Sequence, residues 1–486
     1  MATFNQQFTI HPVGQGLFYS CCIKHNNDVR FRMVFDCGSL TKGAGEEEVK
    51  IYRDSDYLDE KVLDLLVISH FDADHVKFIG KLLEGGIKVR KLVMPFITFN
   101  ERLFLIARYL DNNDGFNPND DFFVRFTIDP LGTLNNNLDG DSEVFLIERG
   151  PLDPILPEKE VSPEITESDN NETRFRFDFE NANKVNVDAD SIMTKQPKSK
   201  ISKINDSEKG KLFTSSSIIL MEFLFYKRTI GEDEVKFYEK VKELFFKKFL
   251  IDDRLSKDDL LDEIVNKVKD IEAGTEIKKI FRDAKDKVHF KTVKGVKIDD
   301  LNTTALCMMH RNLSGIFNFL GYPARIRRHT YFLLDEVAIS GVTHIQKFIS
   351  PDGSRIETQN YFNKYPYPEY YYNNDSDKFI YPNALLTSDS FLLTQAQVSE
   401  FVNHFINYWN DYWLFQIPHH GSQRSSDSVL HSAIQSRSNN FINYGIGNRD
   451  HHPNASVIQS LVATGNSVRL IPINQFSGIR FNLLIG

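Results

Sequence analysis

"SHFDADHVKF", residues Ser69–Phe78, follows the apolar run "LDLLVI" (Leu63–Ile68) and gathers two histidines and two aspartates into six residues. Beyond it, Val76, Ile79, Leu82 and Leu83 recur at helical spacing before Gly85 and Gly86, the marks of a short helix and its stop. The cluster is therefore expected in a loop between a buried strand and a helix. On one helix, positions 70 and 74 share a face while 72 points away; a loop can turn all the side chains inward. A capping aspartate explains Asp72 or Asp74 but not the whole set, so His70, Asp72, Asp74 and His75 read as metal ligands.

Three further stretches repeat the pattern of a strand ending in ligand chemistry. "FQIPHHGSQRSSD" (Phe415–Asp427) carries His419 and His420, "GIGNRDHHPN" (Gly445–Asn454) carries His451 and His452, and "NALLTSDSF" (Asn383–Phe391) carries Asp389. Alone, a histidine pair is usually incidental and Asp389 reads equally well as an Asx turn. Together, six of the chain's fourteen histidines sit in three strand-end loops, as expected if several strands converge on one site.

Composition bounds the rest. The 486 residues carry a formal net charge of -9, which argues against a broad DNA-coating surface but not against a local basic channel. The opening "MATFNQQFTIHPVGQG" has no basic segment followed by an apolar one, and the longest apolar run, "IILMEFLFY" (Ile218–Tyr226), is interrupted by Glu222 and too short for a membrane span. Four cysteines without a CxxC pair suit a reducing compartment. The expectation is a soluble cytoplasmic protein. "DNNDGFNPNDD" (Asp111–Asp121) has the wrong acidic spacing for an EF-hand and reads as a solvated loop. Residues 232–290 carry amphipathic helical periods with paired charges.

Seven motifs, in order, resemble the metallo-β-lactamase hydrolase superfamily, most closely its ComEC-like competence branch. They are "VGQG" (Val13–Gly16), "VFDCG" (Val34–Gly38), "SHFDADH" (Ser69–His75), "LLTSD" (Leu385–Asp389), "PHHGS" (Pro418–Ser422), "GNRDHHP" (Gly447–Pro453) and the closing "VRLIPINQFSGIRF". The wider superfamily has histidine where Asp72 stands; the ComEC-like branch has aspartate. Two departures concern glycines: Lys77 and Phe78 replace the usual pair after the first ligand motif, and Ser388 replaces the one before Asp389.

The resemblance implies an α/β fold, a four-layer αββα sandwich with a large, partly helical insertion. Residues 1–100 would form its N-terminal half, 101–300 an insertion with a helical subdomain at about 232–290, and 301–486 the C-terminal half with a secondary insertion at about 311–380. It implies two divalent metal ions, Zn²⁺ or Mn²⁺ with Mg²⁺ also credible beside three carboxylates. One would be held by Asp74, His75, Asp389 and either His419 or His420, the other by His70, Asp72 and a bridging Asp389. Asp36 would orient the ligand loop, His452 would face the scissile phosphate or leaving group, and Ser422 would contact phosphate.

The implied activity is phosphodiester hydrolysis by a metal-bridging hydroxide, with DNA the leading nucleic acid substrate. Two dications against Asp72, Asp74, Asp389 and that hydroxide leave the core about neutral, so an anionic diester can approach. The basic, aromatic stretch around Arg325, Arg327, Arg328 and Tyr331, with "YPYPEYYY" (Tyr365–Tyr372), would guide single strands by charge and stacking, the aromatic run reading equally well as a core or partner-facing patch. Alternatives are a hydrolase of a small phosphodiester or nucleotide, and a catalytic subunit of a bacterial assembly, antiviral ones included, whose inserts bind a protein partner.

Overall fold

The computed structural model describes the chain apart from residues 1–3, 56–57, 59, 113–120, 158–173, 181, 253, 289–291, 294–295, 298–304, 314–341, 350–354, 362–382, 436–437, 467–469 and 486. Arg325, Arg327, Arg328, Tyr331, the Tyr365–Tyr372 run and most of the Asp111–Asp121 loop lie outside the described residues.

Alternation of side chains along the strands builds three cores. In the strand Ile219–Lys227, Phe223 and Phe225 point one way, while Leu224 and Tyr226 point the other. Phe31, Met33 and Phe35 of the strand Asp28–Cys37 meet the first pair in a core between two sheets. Leu224 and Tyr226 join Val398, Phe401, Leu430 and Leu461, which come from helices on the far side of the second sheet. Val34, Leu66 and Leu92 face a third core, shared with helices outside the first sheet. The architecture is thus a mixed α/β sandwich, and the apolar runs "LDLLVI" and "IILMEFLFY" are strands buried on both faces.

Among the described residues, the first sheet has eleven strands. Their order is Arg355–Tyr361, Val342–Ile349, Ser477–Ile485, Phe4–Ile10, Phe18–His25, Asp28–Cys37, Val62–Val67, Lys88–Pro95, Glu143–Glu148, Lys200–Asn205 and Val185–Asn186. Pairing is parallel from Asp28–Cys37 through to Lys200–Asn205. The second sheet runs Leu470–Ile473, Asn439–Asn443, Leu414–Gln416, Ala384–Leu386, Leu306–Asn312, Ile219–Lys227, Lys209–Phe213 and Arg176–Asp178. Its first four strands are parallel, so their carboxyl ends share one edge.

The stretch 101–300, read from the sequence as an insertion, is woven into both sheets. Glu143–Glu148 and Lys200–Asn205 extend the first, and Lys209–Phe213 and Ile219–Lys227 the second. Helices Glu232–Phe249, Lys257–Lys269 and Ile271–Lys287 account for the amphipathic periods at 232–290. They share the first sheet's outer core rather than keeping one of their own: Phe237 and Phe281 pack on Phe104 of the helix Phe99–Asn112. Within the stretch 311–380, Val342–Ile349 and Arg355–Tyr361 add a hairpin to the sheet edge at Ser477–Ile485. Among the described residues, no helix is long and apolar enough to cross a membrane.

A histidine sits inside the inter-sheet core. His310 stacks on Phe8 with ring centroids 4.6 Å apart, and its Nε2 hydrogen-bonds the Tyr19 hydroxyl at 2.6 Å. Burial pushes its pKa down to about 3, so folding favours the neutral ring. Its contribution to stability is complete above the unfolded value of about 6.5 and is lost as pH falls toward 3. Urea unfolding at pH 7 and pH 5 is expected to show the wild type losing about 2 kcal/mol more across that interval than His310→Gln; equal losses would remove His310 from the acid limb.

Candidate metal centre

Three strand ends deliver the cluster. His70, Asp389 and His419 each stand three residues past the last strand residue, Val67, Leu386 and Gln416 respectively. All lie at the carboxyl ends of parallel strands, where open α/β sheets place their ligands. The two sheets are joined at this point by a backbone hydrogen bond from Leu306 N to Ser69 O, 2.8 Å.

The helix carrying the other half is only four residues long, Ala73–Val76, with Asp72 at its N-cap position and Asp74 and His75 inside it. Two glycine motifs hold it. Leu17 N donates to Asp74 O at 3.1 Å and Phe78 N to Cys37 O at 3.0 Å. A Cβ on Gly38 would lie 2.5 Å from Asp74 C and His75 N, and one on Gly16 would lie 2.4 Å from Gly38 O. The glycines of "VGQG" and "VFDCG" thus let three backbone segments close on the ligand turn. Phe78 explains itself by packing: it is buried against Gly45 on the helix Ala44–Arg53.

Ring orientation follows from the hydrogen bonds behind each histidine. Buried Asp36 accepts from Ser69 N (2.7 Å), Ser69 Oγ (2.5 Å) and His75 Nδ1 (2.8 Å). Ser69 Oγ, its proton committed to Asp36, accepts from His70 Nδ1 at 2.9 Å and from Ser388 Oγ at 2.6 Å. On the opposite side His420 Nδ1 donates to Asn443 O (2.8 Å), and His419 Nδ1 meets Ser425 Oγ (2.8 Å). Every imidazole is therefore held by Nδ1 with Nε2 turned to the centre, the arrangement that ligating histidines need.

The centre itself is carboxylate. Asp389 Oδ1 lies 3.3 Å from His75 Nε2 and 3.8 Å from His420 Nε2, while Oδ2 lies 3.7 Å from His70 Nε2 and 3.5 Å from His419 Nε2. Asp74 Oδ2 is 3.1 Å from His420 Nε2, and Asp72 Oδ2 is 3.7 Å from His70 Nε2. The groups Asp74, His75, Asp389 and His420, and His70, Asp72 and Asp74, each offer ligand atoms within 4.8 Å of one another. His420 rather than His419 stands in the four-residue group. Nε2 of His70 and of His75 are buried with no hydrogen-bond partner among the described residues. Buried ring nitrogens aimed at carboxylates without hydrogen-bonding them are suited to a cation between the two.

Electrostatics agree. Burial raises the Asp389 carboxyl, but His419, His75 and His420 outweigh it and hold the group well below the usual range. Asp74 is likewise drawn down to about 2, its burial overcome by His75 and His420. Burial would lower His75 and His420, yet the surrounding carboxylates, Asp389 foremost, raise both. His452 ends up near 4 through burial and the nearby His419 and His420.

Backbone strain concentrates here too. Asp36, Ser388, His419, His420 and His451 all have φ between 48° and 55°, a region that costs a non-glycine residue about 1–3 kcal/mol. Ser388 shows why a glycine would suit its position and what serine adds: its N donates to Gln416 Oε1 (2.8 Å) and its hydroxyl joins the Ser69 network.

A cleft of about 830 Å³ opens over the centre, lined by Asp72, Asp74, Asp389, His419, Ser422 and His452 among others. Ser422 is nearly fully buried, its Oγ accepting from Arg424 N. Sequence reading passed over Arg108, whose Nη2 donates to Asp72 Oδ1 at 2.5 Å; a charge in line with Phe104 and Leu105 on an otherwise apolar helix face was the signal. It also missed Gln416 and Asn443, buried amides at the ends of apolar strands, linked Gln416 Nε2 to Asn443 Oδ1 at 3.0 Å. Asn443 Nδ2 continues to Gly16 O and ties the second sheet to the glycine loop.

Comparison of the chain with models of known protein families and with curated proteins finds no match.

Two outcomes follow from the geometry. Asp36→Asn removes the charge that holds both His70 and His75, and is expected to weaken divalent-cation binding by about 10–100-fold in a Mn²⁺ titration with the fold retained. Cation binding at neutral pH should also displace the protons that the carboxylates keep on His75 and His420. Calorimetry in buffers of differing ionisation enthalpy reads that release directly; heats independent of the buffer would contradict it.

Proposed function

We propose that the chain is a metal-dependent phosphodiester hydrolase of the metallo-β-lactamase fold, acting on nucleic acid and on DNA above all. The observation that carries the reading is the division of Asp389, one oxygen facing His75 and His420 and the other facing His70 and His419. A carboxylate flanked in this way is suited to bridge two cations. Asp74, His75, His420 and Asp389 Oδ1 would hold one, and His70, Asp72 and Asp389 Oδ2 the other. Mixed imidazole and carboxylate donors suit Zn²⁺ and Mn²⁺, and the three aspartates also admit Mg²⁺. When bound, such a pair supplies Lewis acidity toward a phosphoryl oxygen and a water of lowered pKa.

The remaining work falls to the chain's own groups. Lys42, Arg108, Arg424 and Arg449 line the cleft against five carboxylates, Asp72, Asp74, Asp111, Asp389 and Asp450. Two dications turn that balance positive, which favours a polyanion. His452, neutral down to about pH 4, can orient a leaving oxygen by a ring N–H hydrogen bond without adding a charge. Asn448 fixes its backbone from both sides, accepting from His452 N and donating to His452 O.

A second reading, hydrolysis of a nucleotide-sized phosphodiester, is favoured by the cleft's volume and by the wall that Tyr109 and Phe281 give it. Both readings meet in one experiment. Purified protein with Mn²⁺ is expected to cleave labelled single- or double-stranded DNA, and Asp389→Ala to lower the rate by about a thousandfold. Turnover of bis(p-nitrophenyl) phosphate with every polymer left intact would select the second reading, and identical behaviour of wild type and Asp389→Ala would reject both.

A further inference from the structure

Asp72 differs from its fellow carboxylates. Its side chain stands 23% exposed on the cleft wall, against 2% for Asp389, and its two oxygens have different neighbours. Oδ2 lies toward His70 Nε2, while Oδ1 accepts from the guanidinium of Arg108. Arg108 is not a loose surface cation. It is 11% exposed, it projects from the helix Phe99–Asn112, and its guanidinium carbon sits 5.6 Å from the centre of the Phe104 ring. That helix is fixed at its far end, where Arg449 Nη1 donates to Asn112 O at 2.9 Å and Arg282 Nε donates to Asp111 Oδ1 at 2.8 Å.

The two halves of the centre are therefore unlike in charge. Asp74, His75, His420 and Asp389 Oδ1 form a buried set; the other half shares Asp72 with a permanent cation. We propose that Arg108 is a positioning residue that directs Asp72 to His70 through one oxygen alone and makes the His70–Asp72 half the weaker of two cation sites, filled second. The inference rests on the two-cation reading given above. Its physical basis is twofold: a guanidinium against one carboxylate oxygen lowers the negative charge available at the other, and it repels a dication held nearby. The same charge faces the cleft, so an incoming phosphate offsets it and favours completion of the weaker half in the presence of substrate.

The test is a Mn²⁺ titration of metal-free wild type, Arg108→Gln and Arg108→Lys, with free Mn²⁺ followed by electron paramagnetic resonance and folding checked by thermal denaturation. Wild type is expected to take up Mn²⁺ in two steps that differ in affinity. Arg108→Gln, which keeps a donor but loses the charge, should tighten the second step by about tenfold and leave the first unchanged. Arg108→Lys, which keeps the charge, should retain the wild-type separation. A second step unchanged in folded Arg108→Gln overturns the inference while leaving the two-cation reading intact, and so does a weakening of both steps together, the mark of a merely structural role. Wild type that takes up no Mn²⁺ overturns the two-cation reading itself and the inference with it.

Discussion

The centre depends on one buried carboxylate that never faces the cleft. Asp36 accepts from Ser69 N, Ser69 Oγ and His75 Nδ1, and through Ser69 it also fixes His70. A charge with no exposure to solvent is costly unless fully hydrogen-bonded, and here the bonds that satisfy it are the ones that orient the His70 and His75 rings. The stabilisation of Asp36 and the preorganisation of the centre are one interaction. The close approach of Gly16, Gly38 and the Ala73–Val76 turn provides the room for it.

The same economy appears on the second sheet. Gln416 accepts from Ser388 N and donates to Asn443, while the Asn443 carbonyl takes His420 Nδ1 and its side chain reaches Gly16 O. A chain of amides thus runs from the strand that precedes Asp389 to the loop that holds Asp74. Left-handed backbone at Ser388, His419 and His420 is tolerated because each of these residues is fixed by several bonds at once.

Much of this was legible in the sequence, for identifiable reasons. His70, Asp72, Asp74, His75, Asp389, His419 and His420 all follow apolar runs, which are what buried parallel strands look like, although Asp74 and His75, expected in a loop, sit in the short helix Ala73–Val76. Which of His419 and His420 joins Asp74 was not legible, because consecutive residues separate only once φ and ψ are set. Arg108 and Asn443 were hidden for another cause: the meaning of each depends on partners more than twenty residues away, Asp72 for Arg108 and His420 and Gly16 for Asn443. Residues 101–300 read as insertion because none of the seven motifs falls within them, and strands such as Glu143–Glu148 and Lys200–Asn205 carry no motif that would announce them.

The backbone bond from Leu306 to Ser69, with Asn443 reaching across to Gly16, means that neither sheet holds a working set of donors by itself. The amino-terminal sheet carries His70, Asp72, Asp74 and His75 with the Asp36 and Ser69 bonds that orient the two rings, while Asp389, His419 and His420 come from the other sheet. The full set of converging side chains is therefore a property of the two sheets together and of neither alone.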